Sequence, residues 1–174
     1  AFDAGKWISG RAANNGGNVV DHYLRQSGFA GADWTEIDRQ ITAERDAPLY
    51  APFLFRERST SYIREDRCGF LGAAGETAEN HAAAGRLRGV SEGVVFHLAV
   101  LAQDVADATS GTGLHLSGSL TRMPFVRKLL ATILELPVYT EDDEIAVLRG
   151  EASLLFGDPA RETSETGNVP VGGE

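Results

Sequence analysis

The strongest constraint on the fold is a long stretch beginning near Glu79, in which Val90, Val94, Leu98, Leu101, Val105 and Ala108 recur at steps of three and four. That spacing puts them on one face of a helix long enough to serve as the core element of a domain. Ser110, Gly111, Thr112 and Gly113 break the pattern, and Leu114, His115 and Leu116 read as a short strand entering a Ser117-Gly118-Ser119 turn. Pro124 suits the first turn of the next helix, whose stripe is Val126, Leu129, Leu130 and Ile133, with Pro137 ending it. Pro137 to Thr140 reads as a strand, Glu141 to Glu144 as an acidic loop, and Ala152 to Phe156 as part of a last helix.

Upstream, Trp7 to Ser9 is a short strand candidate and Gly10 to Gly17 a loop of small and amide residues. Val19, Val20, Tyr23 and Leu24 recur at helical spacing, with Gly28 at the expected C-terminal cap, and a second helix is expected from Trp34 to Ala43. Leu49 to Phe55 and Phe70 to Leu71 read as extended. Helices alternating with short strands predict an α/β layer. A length of 174 residues suits one domain, but Gly157 to Glu174 carries four glycines, two prolines and little apolar surface, so that segment reads as a disordered tail after a domain over 1–156.

Charge and cysteine content narrow the class of partner. Against 16 Lys and Arg stand 25 Asp and Glu, a formal charge of -9 that disfavours nucleic acid and anionic membranes. The lone Cys68 can form no intrachain disulfide, no apolar run is long enough to span a bilayer, and the N-terminus lacks the pattern of a signal peptide. A reducing, cytoplasmic setting is expected, and Ala1 reads as a cut into a longer chain.

Two places suit ligand chemistry. A strand ending in Ser117-Gly118-Ser119 ahead of a helix with free N–H groups can accept an anion or admit a planar ring, or it can be a plain connection. Asn14 to Gly17, two amides and two glycines before a helix, can cradle a ligand or merely cap the helix. His22, His81, His97 and His115 include no pair four residues apart and have no cysteine partner, so no zinc site is expected. Glu57, Arg58, Arg64, Glu65, Asp66 and Arg67 form a mixed-charge patch expected to be a solvated face. No Walker A lysine, nucleophile elbow or Cys-x-x-Cys is present.

Taken in order, these segments resemble the C-terminal ATP-binding domain of the FGGY carbohydrate kinases, the gluconokinase and xylulokinase branch in particular. WISGRAANNGGNVVDHYL, Trp7 to Leu24, looks like the family's strand, glycine loop and helix. PFLFRERSTSYIREDRCGFLG, Pro52 to Gly72, is similar to PYLxGERSPxWDPxARGxFxG, and GVSEGVVF, Gly89 to Phe96, to AVLEGVAF. LSGSLTRMPFVRKLLATILELPV, Leu116 to Val138, resembles the adenosine motif SGGLARSPxWxQLLADxLGxPV, and Glu151 to Gly157 the EASALG helix after it. Departures are Ser119 for the second glycine of the adenosine turn, Met123 near the purine, Arg56, Ile63 and Cys68 for Gly, Asp and Gly, and Gly89 and Ser91 for Ala and Leu.

The resemblance implies a ribonuclease-H-like α/β fold of the actin and hexokinase type, incomplete at its N-terminal side. It implies transfer of the γ-phosphoryl of MgATP to a sugar or sugar-acid hydroxyl by the full-length enzyme, with the fragment alone inactive. Gly17, Val20 and Asp21 are then expected near the adenine or phosphate side, and Gly118, Ser119, Leu120 and Met123 on the adenosine turn. The base aspartate is expected upstream of Ala1, so no catalytic residue is assigned, and no metal ligand is assigned for the Mg2+. Expected partners are the sugar and the missing N-terminal domain, with a homodimer left open. The alternative is a non-catalytic nucleotide-binding or scaffold protein of actin-like fold.

Overall fold

A computed structural model describes residues 11–29, 31–58, 67–72, 77–109, 112–116 and 118–140. The expected strand at Trp7 to Ser9, the acidic loop, the last helix and the tail lie outside the described residues.

Helix α1, Gly17–Gln26, buries Val19, Val20 and Leu24. Ser27 closes it through an N–H donated to the Tyr23 carbonyl, and Gly28 follows with φ 82°, the left-handed conformation for which glycine carries no steric penalty. Helix α2, Trp34–Ala43, has the bounds its sequence predicts, with Asp33 at the N-cap and Ile37 and Ile41 buried.

Strands β1, Leu49–Phe53, and β2, Arg67–Leu71, pair antiparallel, with Tyr50 opposite Phe70 and Pro52 opposite Cys68. The rings of Tyr50 and Phe70 meet edge to face at 4.9 Å, and Tyr23 of α1 reaches the same Phe70 at 6.0 Å. Burial, helped by a hydrogen-bond contact with the Cys68 sulfur, holds the Tyr50 phenol above its ordinary pKa.

The long helix, α3, runs Ala83–Thr109. It begins later than the periodicity suggests, because Glu79 belongs to a separate 3-10 turn, Ala78–Asn80. Its burial also differs from a single stripe. Val90 and Val94 are buried as expected, but Val95, Ala99 and three glycines are buried as well, while Ala108 is exposed. The helix is covered on two sides in its middle and emerges toward its C-terminal end. Strand β3, Leu114–Leu116, pairs in parallel with β4, Val138–Thr140, and helix α4, Pro124–Leu134, connects them through its flanking turns. Helix α4 ends at Glu135, a left-handed residue at φ 52°, before Pro137 is reached. It buries Val126, Leu130, Ala131 and Leu134, whereas Ile133 of the expected stripe is exposed. The buried row has turned one residue toward the sheet side.

The contact that seats β1 on α3 rests on Gly85, Gly89 and Gly93. A Cβ on Gly85 would stand 2.8 Å from the Asp46 carbonyl oxygen, and one on Gly89 or Gly93 would collide with the carbonyl oxygens of Pro48 and Tyr50. The two periods match: four residues of helix rise about 6 Å and two residues of strand about 6.6 Å, so alternate carbonyls fall on successive glycines. Such close backbone approach excludes water and permits Cα–H···O contacts. Gly89→Ala therefore sets a helix-propensity gain of about 1 kcal/mol against overpacking of about 1–3 kcal/mol. The urea midpoint is expected to fall, and a midpoint that rises would show that the strand yields without cost.

Candidate functional site

The loop ahead of α1 is held from outside by one carboxylate. Glu57 accepts the Asn14 N–H at 3.1 and 3.2 Å on its two oxygens and the Asn15 N–H at 3.0 Å. It also accepts a very short bond from the Asn15 side-chain amide. The same amide donates to the Phe55 carbonyl at 2.6 Å, and its oxygen accepts the Phe55 N–H at 2.8 Å, so Asn15 is clasped to the segment leaving β1. Asn14 donates its side-chain amide to the Arg56 carbonyl at 2.6 Å, and Asn18 folds back to accept the Gly16 N–H at 2.7 Å.

Neither expectation for the mixed-charge patch nor for the amide pair survives unchanged. Glu57 is buried, 5% exposed, where a solvated face was expected, because its oxygens find enough N–H donors to offset the loss of water. Asn15 is fully buried and binds the chain itself, so a ligand cannot use its side chain. His97 of α3 is also buried, with Nε2 at 3.3 Å from a Glu57 oxygen and the Phe53 ring edge-on at 5.2 Å.

The two segments singled out in the sequence come together. A Cβ on Gly17 would lie 2.8 Å from Ser119 Oγ and 3.5 Å from Leu120 Cγ, so the start of α1 abuts the 3-10 turn Ser119–Arg122. Gly118 has φ 94° and ψ -173°, a conformation reserved for glycine, and space is open both over its Cβ position and over that of Gly16. Asp21 stands one helical turn beyond Gly17, partly exposed. Val20, Leu120 and Met123 are buried in the core instead of lining an open surface. Ser119 fills the space above Gly17, so the two walls touch at their base and are open only at Gly16 and Gly118.

The expectation that the helix after the turn offers free N–H groups is corrected. In α4, Pro124 has no N–H, Phe125 donates to Asp38 Oδ1 at 2.8 Å, and Val126 donates to the Met123 carbonyl at 3.0 Å. Asp38 of α2 occupies the positive end of α4. At α1 the position is different: among the described residues, the N–H groups of Gly17 and Asn18 find no acceptor.

Residues 2–156 match the C-terminal domain of the FGGY family of carbohydrate kinases. The chain belongs to this family. No curated protein sequence matches it. Among solved structures it is similar to a xylulose kinase from Lactobacillus acidophilus, with 23% identity and TM-score 0.62 over 84% of this chain and 31% of that one. It is also similar to a gluconate kinase from the same organism, with 23% identity and TM-score 0.57 over 84% of this chain and 31% of the other. A Plasmodium falciparum glycerol kinase with ADP matches at 16% identity and TM-score 0.59, over 79% of this chain and 27% of that one. The fold is thus the α/β, actin-like ATPase type of the FGGY C-terminal domain, and the chain spans less than a third of the length of these kinases.

Other polar features lie away from the turn. A cavity of about 670 Å3 is bounded by Asp46, Leu49, Phe70, Leu71, Glu79 and His81, and Glu57 is not among its lining residues. Among the described residues no group of three His, Cys, Asp or Glu could hold a metal, and no helix is long and apolar enough to cross a membrane. Sequence reasoning missed Glu57, His97 and Asp38 as parts of the site. Asp38→Ala strips α4 of its capping carboxylate and is expected to cost about 1 kcal/mol. Equilibrium urea unfolding checks it, and an unchanged midpoint would mean that solvent caps α4 equally well.

Proposed function

We propose that the start of α1 and the Gly118–Ser119 turn form the nucleotide side of a carbohydrate kinase. The whole protein, of which this chain supplies the FGGY C-terminal domain, transfers the γ-phosphoryl of MgATP to a sugar or sugar-acid hydroxyl. The observation that carries the reading is the approach of Gly17 to Ser119, which joins two segments about a hundred residues apart into one surface.

The residues present fit a nucleotide. Open space over Gly16 and Gly118 leaves room for a ligand against bare backbone. The N–H groups of Gly17 and Asn18, which find no acceptor among the described residues at the positive end of α1, suit a phosphate oxygen. The apolar Leu120 and Met123 support the turn from beneath, so it presents a fixed backbone surface to a purine. Bound ATP supplies the transferable phosphoryl group; these residues orient it and balance its charge. The base that takes the hydroxyl proton belongs, on this reading, to a part of the enzyme upstream of Ala1, and so does most of the sugar site.

A second reading, a non-catalytic nucleotide-binding or scaffold protein, is favoured by one observation, the Ser119 hydroxyl packed over Gly17. Calorimetric titration with ADP separates a nucleotide pocket from a nucleotide-free scaffold. The kinase reading expects saturable binding, and absence of heat at millimolar ADP would remove it for this chain. Gly16→Leu, which adds bulk into open space at a negative φ, is expected to weaken ADP at least tenfold while the thermal midpoint stays within a few degrees.

A further inference from the structure

We propose that Glu57 is a positioning residue for the nucleotide side: its ionised carboxylate fixes the Asn14–Gly17 loop, and through it the gap between α1 and the Gly118–Ser119 turn. The proposal deepens the nucleotide reading above and rests on it. Glu57 lies 40 or more residues from the loop in sequence, yet it is the acceptor for both loop backbone N–H groups and for the Asn15 side chain. Its side chain is 0% exposed. A carboxylate removed from water to this degree is held there by its partners, and these partners are the loop.

The donors converge on one oxygen: Oε1 accepts from the Asn14 and Asn15 N–H groups and from the Asn15 side-chain amide, while Oε2 shares the Asn14 N–H. His97 stands on the remaining side, with Nε2 3.3 Å from Oε1 and its side chain 3% exposed. That nitrogen has no hydrogen-bond partner of good geometry, so Glu57 is the only acceptor near enough among the described residues for it to approach. The imidazole closes the carboxylate off from solvent and backs it from α3, while Phe53 packs edge-on against the imidazole. The arrangement is rigid on the Glu57 side and transmits to the ligand side within two residues. Asn15 leads through Gly16, which is open to solvent space, to Gly17, which touches Ser119.

The geometry distinguishes positioning from general support. A carboxylamide at this position keeps the shape of Glu57 but loses the negative charge that the loop donors share, and its NH2, placed at Oε2, is set against the Asn14 N–H, so the Asn14 end of the loop must move. A shorter carboxylate keeps the charge and can recover the loop with a small shift. The experiment compares the full chain with Glu57→Gln, Glu57→Asp and His97→Gln, using ADP titration together with backbone amide resonances. For Glu57→Gln the expected result is a tenfold or greater loss of ADP affinity, with resonance shifts concentrated at Asn15, Gly16 and Gly17 and little change in α2 or α4. Glu57→Asp is expected to restore a large part of both. Unchanged affinity and unchanged loop resonances in Glu57→Gln overturn the proposal, as does a Glu57→Asp variant no better than the amide.

Failure of the nucleotide reading shows itself separately, as absence of ADP binding by the parent chain. The loop resonances then still decide whether Glu57 sets the loop. If Glu57→Gln does not fold, His97→Gln carries the test, since it leaves all the N–H bonds to Glu57 in place. It is expected to shift the same three amides by a smaller amount, and shifts spread evenly over α3 with none in the loop would overturn the proposal.

Discussion

Everything that can be said of the site depends on the way β1 lies along the glycine row of α3. Side chains at Gly85, Gly89 or Gly93 would lift the strand, because its carbonyl oxygens occupy the volume a Cβ needs. With the strand down, the chain that leaves β1 is delivered close to α3, where Phe53 meets His97 and Glu57 turns inward. A lifted strand would carry Glu57 outward toward water. The carboxylate's burial, and therefore its hold on Asn14 and Asn15, is a consequence of backbone packing several residues earlier.

Burying that carboxylate is costly in itself, since the desolvation of an ion amounts to several kcal/mol. The structure offsets the cost with donors whose positions matter for something else. A salt bridge on the surface would contribute little and specify nothing. Here the donors are backbone groups of a loop that contains two glycines, and the carboxylate holds that loop together with the Asn18 side chain, which accepts the Gly16 N–H and donates to the Asn14 carbonyl. Arg88 plays a comparable part on the other side of α3. It donates to the Ile41 carbonyl at 3.3 Å and to the Glu44 carbonyl beyond the end of α2, pairs with Glu92 at 2.7 Å and lies 4.9 Å from the Phe125 ring centre. Charges in this domain tie chain ends to the core helix.

Much of the fold was legible because local signals and burial agree. Trp34–Ala43 could be read residue for residue, since Asp33 precedes a clear apolar spacing. Leu114–Leu116 and Pro124 were legible for the same reason. The start of α3 was not, because Glu79 lies close enough to the apolar row to share its period while belonging to a 3-10 turn. The end of α4 was misplaced because Glu135 takes a left-handed conformation that its residue type does not announce. Glu57 was the harder case. It sits among several like and unlike charges, and nothing in a run of charged residues says which one folds inward; that depends on distant N–H donors. The spacing of Gly85, Gly89 and Gly93 was present in the sequence and would have indicated a close backbone approach, though not by which strand.

The two helices that meet at the Gly118 turn also differ in a way no periodicity reveals. Both begin beside a glycine-containing turn, and from sequence both read as places that could accept an anion. The Asp38 carboxylate already stands at its N-terminus, and a second anion there would meet like charge at close range. At α1 the capping residue, Gly16, makes no side-chain bond, and the nearby Glu57 carboxylate binds the N–H groups of Asn14 and Asn15, not those of the helix itself. An anionic ligand approaching Gly118 is therefore disfavoured on the α4 side. Under the nucleotide reading proposed above, that leaves the α4 side of the turn, backed by Met123 and Leu120, for an uncharged ring.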